Sequence, residues 1–258
     1  MKYTIENEKV ILTVDTYAAE IHSFRRKDSD YEYMWNGDPA YWKGRNPILF
    51  PQVSSTPDKI NTIYGRQYPM GNHGFCRSHE FEMIEQTKDS ITLILKADEE
   101  TKKQYPFDFV LSVTYELKDA TVDIQYDILN ESEEVMPFGF GQHPAFNCPP
   151  GFKDTRIILD DKDELIVSEE LFRQYPTYIY DPNPYRSAVL ATNGHHLKLD
   201  FEGYDILAVW SPFAPFVCVE PWVTPDPDPT VSFEDREKYI LLEPKEFWQI
   251  GYQITLVD

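Results

Sequence analysis

The 258 residues contain only three cysteines, Cys76, Cys148 and Cys218, and no two of them form a C-x-x-C pair. The odd count argues against a disulfide framework and the spacing against a thiolate zinc site, so reduced, buried thiols are expected. Cations are also scarce, with 24 Lys and Arg against 44 Asp and Glu and a net charge of −20. A nucleic-acid partner is therefore not expected, because phosphate backbones are held by Lys and Arg. The acids are scattered rather than blocked and read as a solvated surface. No apolar run approaches the ~20 residues of a membrane helix, so no membrane association is expected. The start, "MKYTIENEKVILTVD", lacks the apolar block and cleavage site of a secretory signal, and a cytoplasmic location is expected. No repeat, linker or low-complexity boundary divides the chain. All-β domains of this length commonly remain one unit, so a single domain over residues 1–258 is expected.

Helical periodicity is nearly missing too. The dominant signal has period two. In "FDFVLSVTYEL", Phe107, Phe109, Leu111, Val113, Tyr115 and Leu117 share one face, with Asp108, Ser112, Thr114 and Glu116 opposite and Val110 out of pattern. After "KDA", the stretch "TVDIQYDIL" resumes with Val122, Ile124, Tyr126 and Ile128 on one face, which reads as an antiparallel hairpin. Similar runs stand at "KVILTVD", "ITLILKA", "HLKLDF", "DILAVW", "FVCVE" and "WQIGYQITLV". Helix is expected for a turn or two around "SEELFRQY". The 20 prolines, against 11 glycines, suggest stiff loops such as "PWVTPDPDP" and "YDPNPY", expected at rims because proline donates no ladder hydrogen bond. The class that follows is all-β, a large antiparallel sandwich with function on a concave face or in its loops.

Three stretches place an ionisable residue among small, aromatic or proline neighbours: "GNHGFCR" with His73 and Arg77, "GQHPAF" with His143, and "VCVEPW" with Glu220. Glu220 ends a run that is apolar or proline from Phe213 onward, where a carboxylate is costly unless paired or used. A histidine in such a setting is more often a hydrogen-bonded core residue, and a glutamate at a strand end is more often surface. The shared character of the three stretches favours one pocket. His22, His79, His195 and His196 lie in polar or mixed surroundings and receive no role.

The successive blocks "GRNPILFP", "HGFCR", "GQHPAFNCP" and "CVEPW", in order from residue 44 to 222, resemble those of the galactose mutarotase-like proteins, the aldose 1-epimerases and hexose-6-phosphate epimerases. The resemblance implies the β-supersandwich of that family, in agreement with the periodicity. It implies that His143 is the general acid at the sugar ring oxygen and Glu220 the general base at the anomeric hydroxyl. It further implies that His73, Arg77 and Arg45 contact substrate, and that the partner is a small sugar. Proton transfer of this kind needs no Lewis acid and no metal-ligand spacing stands in the sequence, so neither cofactor nor metal is expected. An imidazole of reference pKa ~6.5 can donate and recover a proton near neutrality, and a carboxylate of reference pKa ~4.3 is ready to accept one.

The block "HGFCR" lacks the histidine-glycine-glycine of the galactose enzymes and lies nearer the hexose-phosphate and lactose-operon branches. An additional acidic ligand expected after the catalytic histidine has no clear match in "SEELFRQYPTYIYD"; Tyr175 and Asp181 are the candidates. A hexose-6-phosphate 1-epimerase is the near alternative. More distant ones are a non-catalytic carbohydrate-binding protein and a metal-dependent β-barrel isomerase, the latter lacking its His-x-His pair.

Overall fold

In the computed structural model, which describes residues 1–257, the hairpin read from the alternation forms between strands Phe109–Lys118 and Thr121–Asn130, with Val113 opposite Tyr126. Asp119, in the two-residue connection, takes φ 54°, a left-handed conformation that Asp tolerates. All ten apolar side chains named above for this hairpin are buried, while Val110 is half-buried on the other face.

This hairpin lies inside a nine-stranded antiparallel sheet. Its order is Asp163–Ile166, Arg156–Leu159, Ser187–Thr192, His195–Asp200, Phe247–Leu256, Thr121–Asn130, Phe109–Lys118, Ser90–Lys96 and Glu82–Gln86. A second sheet of six short strands runs Thr177–Tyr180, Ile206–Trp210, Phe216–Trp222, Gly141–Gln142 and Ile48–Leu49, with Ala145–Asn147 also paired to Phe216–Trp222. Leu207, Val209, Val217 and Val219 of this second sheet share one buried cluster with Val113, Tyr115, Ile124 and Tyr126 of the first. The two sheets thus pack face to face over a common core, as the period-two pattern requires. A three-stranded sheet, Lys2–Glu6, Val10–Asp15 and Ile21–Arg26, adds to it.

Helix is confined to short pieces. Glu169–Gln174 lies in "SEELFRQY" and is capped by the Ser168 hydroxyl, which accepts from the Leu171 N–H. A second turn, Glu99–Lys102, was not expected; Asp98 accepts from the N–H groups of Glu100 and Thr101, and the Thr101 hydroxyl accepts from the Asp98 N–H. Among the described residues no helix is long and apolar enough to cross a membrane. Cys76, Cys148 and Cys218 are free and buried, as expected.

One proline departs from the expectation that "PWVTPDPDP" lies wholly at a rim. Pro221 sits within the central strand Phe216–Trp222, opposite Leu207. On its other side, the Val219 N–H donates to the Pro144 carbonyl and the Val223 N–H to the Phe140 carbonyl. Its nitrogen therefore faces the break between the partner strands Gly141–Gln142 and Ala145–Asn147, where no ladder bond is required of it.

Candidate active site

Alternation along Phe216–Trp222 sends Val217 and Val219 into the core and turns Cys218, Glu220 and Trp222 to the opposite face. Sheet register then decides what stands beside them. On one side Ala208 lies opposite Glu220, and on the other Gly141 opposite Trp222 and Ala145 opposite Cys218. His143, midway between Gly141 and Ala145, falls level with Glu220, and its Nε2 lies 3.4 Å from Glu220 Oε2. Gly141 is needed there because a Cβ would lie 2.8 Å from Cδ1 of Trp222. Gln142, pointing the other way, accepts a 2.8 Å hydrogen bond from the buried Tyr126 hydroxyl of the nine-stranded sheet, which ties the His143 segment to the core.

His143 and Glu220 line a cavity of about 400 Å³. Trp42 stacks on the His143 ring at 4.8 Å between centroids and Trp210 meets it edge-on at 5.4 Å. With Trp222 these indoles form an aromatic wall, a surface suited to the C–H faces of a sugar.

His73 enters from a loop. Its backbone N–H donates to the Ser54 carbonyl at 2.8 Å, and the Ser54 N–H returns a 2.9 Å bond to His73 Nδ1. That reciprocal pair makes Nδ1 an acceptor, so the proton of the neutral ring is on Nε2. His73 adopts φ 63° and Gly74 φ 69°, and a Cβ at Gly74 would stand 2.0 Å from the Phe50 carbonyl oxygen. Only glycine permits that approach.

Burial governs the charge states. Glu220 is 1% exposed, and desolvation pushes its carboxyl well above the usual carboxylate range, opposed by the Trp222 indole, which closes no hydrogen bond to it. Desolvation likewise drives His143 well below the usual imidazole range, assisted by His73 and Arg77. His73 is lowered to about 3, by burial first and then by Arg77. His143 Nδ1 and both carboxylate oxygens of Glu220 are buried without a hydrogen-bond partner among the described residues. Buried polar groups are seldom left so, and a cluster of them at a cavity marks a ligand-binding position.

Four of the five residues named from sequence converge. His73, Arg77, His143 and Glu220 line the cavity together. His73 and Arg77 do so through a left-handed turn and the 3₁₀ turn Cys76–Ser78, not through an extended strand. Arg77 makes no hydrogen bond or ion pair among the described residues. Arg45 does not join them: its guanidinium donates to the Asn36 carbonyl, packs over Gly37 and lines a neighbouring cavity of about 520 Å³. Neither candidate for the extra ligand reaches the site. Tyr175 is exposed, its ring against Tyr178, and Asp181 is paired at 2.8 Å with Lys238. Thr177 of the same segment lines the cavity instead, placed by its pairing with Trp210. Sequence reasoning also missed Trp42, Trp210, Ser54 and Asn72, which carry no local signature. For a metal, the one group of three or more His, Cys, Asp or Glu side chains close enough to share an ion, among the described residues, is His143, Cys218 and Glu220.

The family model for aldose 1-epimerase matches residues 1–234, a span that contains every residue of this cavity. The chain belongs to the aldose 1-epimerase family. Over the full length of both chains this family member is 27% identical to the plasmid-encoded Protein LacX of Lactococcus lactis subsp. lactis. Two solved structures are similar throughout. A galactose mutarotase related enzyme from Lactobacillus acidophilus shares 30% identity at a TM-score of 0.89, covering 100% of this chain and 98% of that one. A galactose mutarotase-like protein from Lactobacillus casei ATCC 334 shares 27% at 0.92, covering 99% and 100%. The all-β sandwich read from the alternation is the fold of these relatives, and the metal-dependent barrel is set aside.

Proposed function

We propose that the protein is an aldose 1-epimerase, a mutarotase that interconverts the α and β anomers of an aldohexose. The observation that carries this reading is the buried His143 and Glu220 pair, 3.4 Å apart and lining an indole-walled cavity, with His143 Nδ1 and both Glu220 oxygens lacking protein hydrogen bonds. Mutarotation consumes one proton and returns one. Glu220 removes the proton from O1 as His143 delivers one to O5, and the C1–O5 bond breaks to give the open aldehyde. After rotation about C1–C2, O5 attacks the other face of the carbonyl; its proton returns to His143, and Glu220 gives one back to O1.

Desolvation favours the uncharged forms of both groups in the free pair. Sugar hydroxyls would supply the hydrogen bonds that the ionised forms lack and favour the Glu220 carboxylate with a protonated His143, arming both groups. His73, with Nε2–H as a fixed donor, holds the ring near O5 and does not titrate near neutrality. Arg77 binds hydroxyl oxygens. Arg45, outside the cavity, is left out of the binding set.

A neutral aldose is the substrate we favour. The unpaired guanidinium of Arg77 supports one second reading, a hexose-6-phosphate 1-epimerase, because a guanidinium fork suits phosphate. Polarimetry and NMR exchange between anomers, run on glucose, galactose and glucose 6-phosphate, test both. Acceleration of at least one is expected. Sugar binding without acceleration of any would make the protein a carbohydrate-binding protein instead.

A further inference from the structure

Cys218 has no part in the proton transfers above, yet it stands beside both groups that perform them. It precedes Glu220 by two positions in Phe216–Trp222, so the two side chains share a face, and it is fully buried. One ligand atom each from His143, Cys218 and Glu220 lie within 4.8 Å of one another. The 3.4 Å between His143 Nε2 and Glu220 Oε2 matches the edge of a zinc tetrahedron, since nitrogen and oxygen ligands at about 2.0–2.1 Å stand ~3.4 Å apart. A thiolate at about 2.3 Å from the same ion stands ~3.6 Å from either, so the closure required of Cys218 is on the order of 1 Å. Glu220 is 1% exposed and neither of its oxygens accepts a hydrogen bond among the described residues, so the site already holds a buried, unsatisfied ligand.

We propose that His143, Cys218 and Glu220 form a site for a thiophilic divalent cation of the zinc class, and that the bound ion inhibits the enzyme. Three protein ligands would leave the fourth position toward the cavity, for water or a sugar hydroxyl. On binding, the Cys218 thiol and the Glu220 carboxyl release their protons to solvent, and the ion takes the imidazole lone pair and the carboxylate that proton transfer needs. A reaction that requires no metal thereby becomes sensitive to one. Inhibition rests on the mutarotase reading; binding does not, and the experiment separates them.

Cobalt chloride, titrated into the full chain in a non-chelating buffer, reads binding through thiolate-to-cobalt absorption. Zinc sulfate, added during polarimetry, reads inhibition, with reversal by EDTA. The expected result is one ion per chain, reversible loss of mutarotation, and a zinc affinity weakened more than about 100-fold in Cys218→Ala and Cys218→Ser, beyond the cost of losing a ligand's supporting partner. Both variants are expected to keep the basal rate, because the Cys218 thiol, although beside His143 and Glu220, neither gives nor takes a proton in the reaction. A cobalt–thiolate signal in a protein that accelerates no aldose would preserve the site and refute the mutarotase. Mutarotation undiminished by about 1 mM zinc, with no cobalt–thiolate signal, would overturn the site. Zinc inhibition unchanged in both Cys218 variants would overturn it as well.

Discussion

Replacing Glu220 by glutamine separates catalysis from stability, because the two should move in opposite directions. The amide nearly preserves shape and removes the base. General acid–base groups contribute roughly 10²–10⁴-fold, or about 3–5 kcal/mol of barrier, so polarimetry should find the variant near the uncatalysed rate. For stability, an ionised pair at 3.4 Å would gain ~5 kcal/mol at an effective dielectric of 20. Desolvation costs several kcal/mol for each of the two ions, and neither has supporting hydrogen bonds, so burial wins and the carboxyl pKa rises. A carboxyl raised in the folded state contributes most below its unfolded pKa of 4.5, and that contribution is lost as pH rises. Glu220→Gln carries no such loss. Thermal unfolding followed by circular dichroism should therefore place its Tm level with wild type near pH 4.5 and above it by pH 7–8, the gap widening with pH. A wild-type rate would remove Glu220 from the mechanism. A variant whose deficit in Tm grows with pH would show that pairing with His143, not burial, controls the carboxylate.

His73→Asn should fold, since Asn tolerates positive φ and its Oδ1 can accept from the Ser54 N–H. Wild-type His73, lowered from 6.5 to about 3, costs stability as pH falls below 6.5, on the order of 5 kcal/mol by pH 3. The variant should be the more stable protein in that window and lose affinity for sugar; equal acid sensitivity would contradict a buried neutral imidazole. Arg77→Lys should raise KM several-fold for a neutral aldose. A strong preference of wild type for glucose 6-phosphate that collapses in this variant would change the substrate and leave the acid–base pair standing. Dialysis against EDTA should leave the rate unchanged, and a loss restored by an added divalent ion would replace the metal-free mechanism.

Alternation is a local property, so the strands and the apolar faces of the hairpin at 109–130 were legible from the chain alone. So was the unusual company of His143 and Glu220, because a carboxylate at the end of "FAPFVCVE" must be paired or used wherever the strand lies. The ordered blocks carried the family for the same reason. What the sequence could not contain is register. His143 stands level with Glu220 because two interrupted strands pair with Phe216–Trp222 at Gly141 and Ala145, an arrangement settled by non-local hydrogen bonds. Pairing with Trp210 brings in Thr177, while Tyr175 and Asp181 stay outside. Arg45, in a block that reads as part of the site, turns instead to the Asn36 carbonyl. His73 and Arg77 meet the cavity through a turn that Gly74 alone can make against the Phe50 carbonyl. Which side chains are chemically unusual follows from their neighbours in the chain; which of them share a cavity depends on pairings between strands far apart in it, and those form only when the whole sandwich closes.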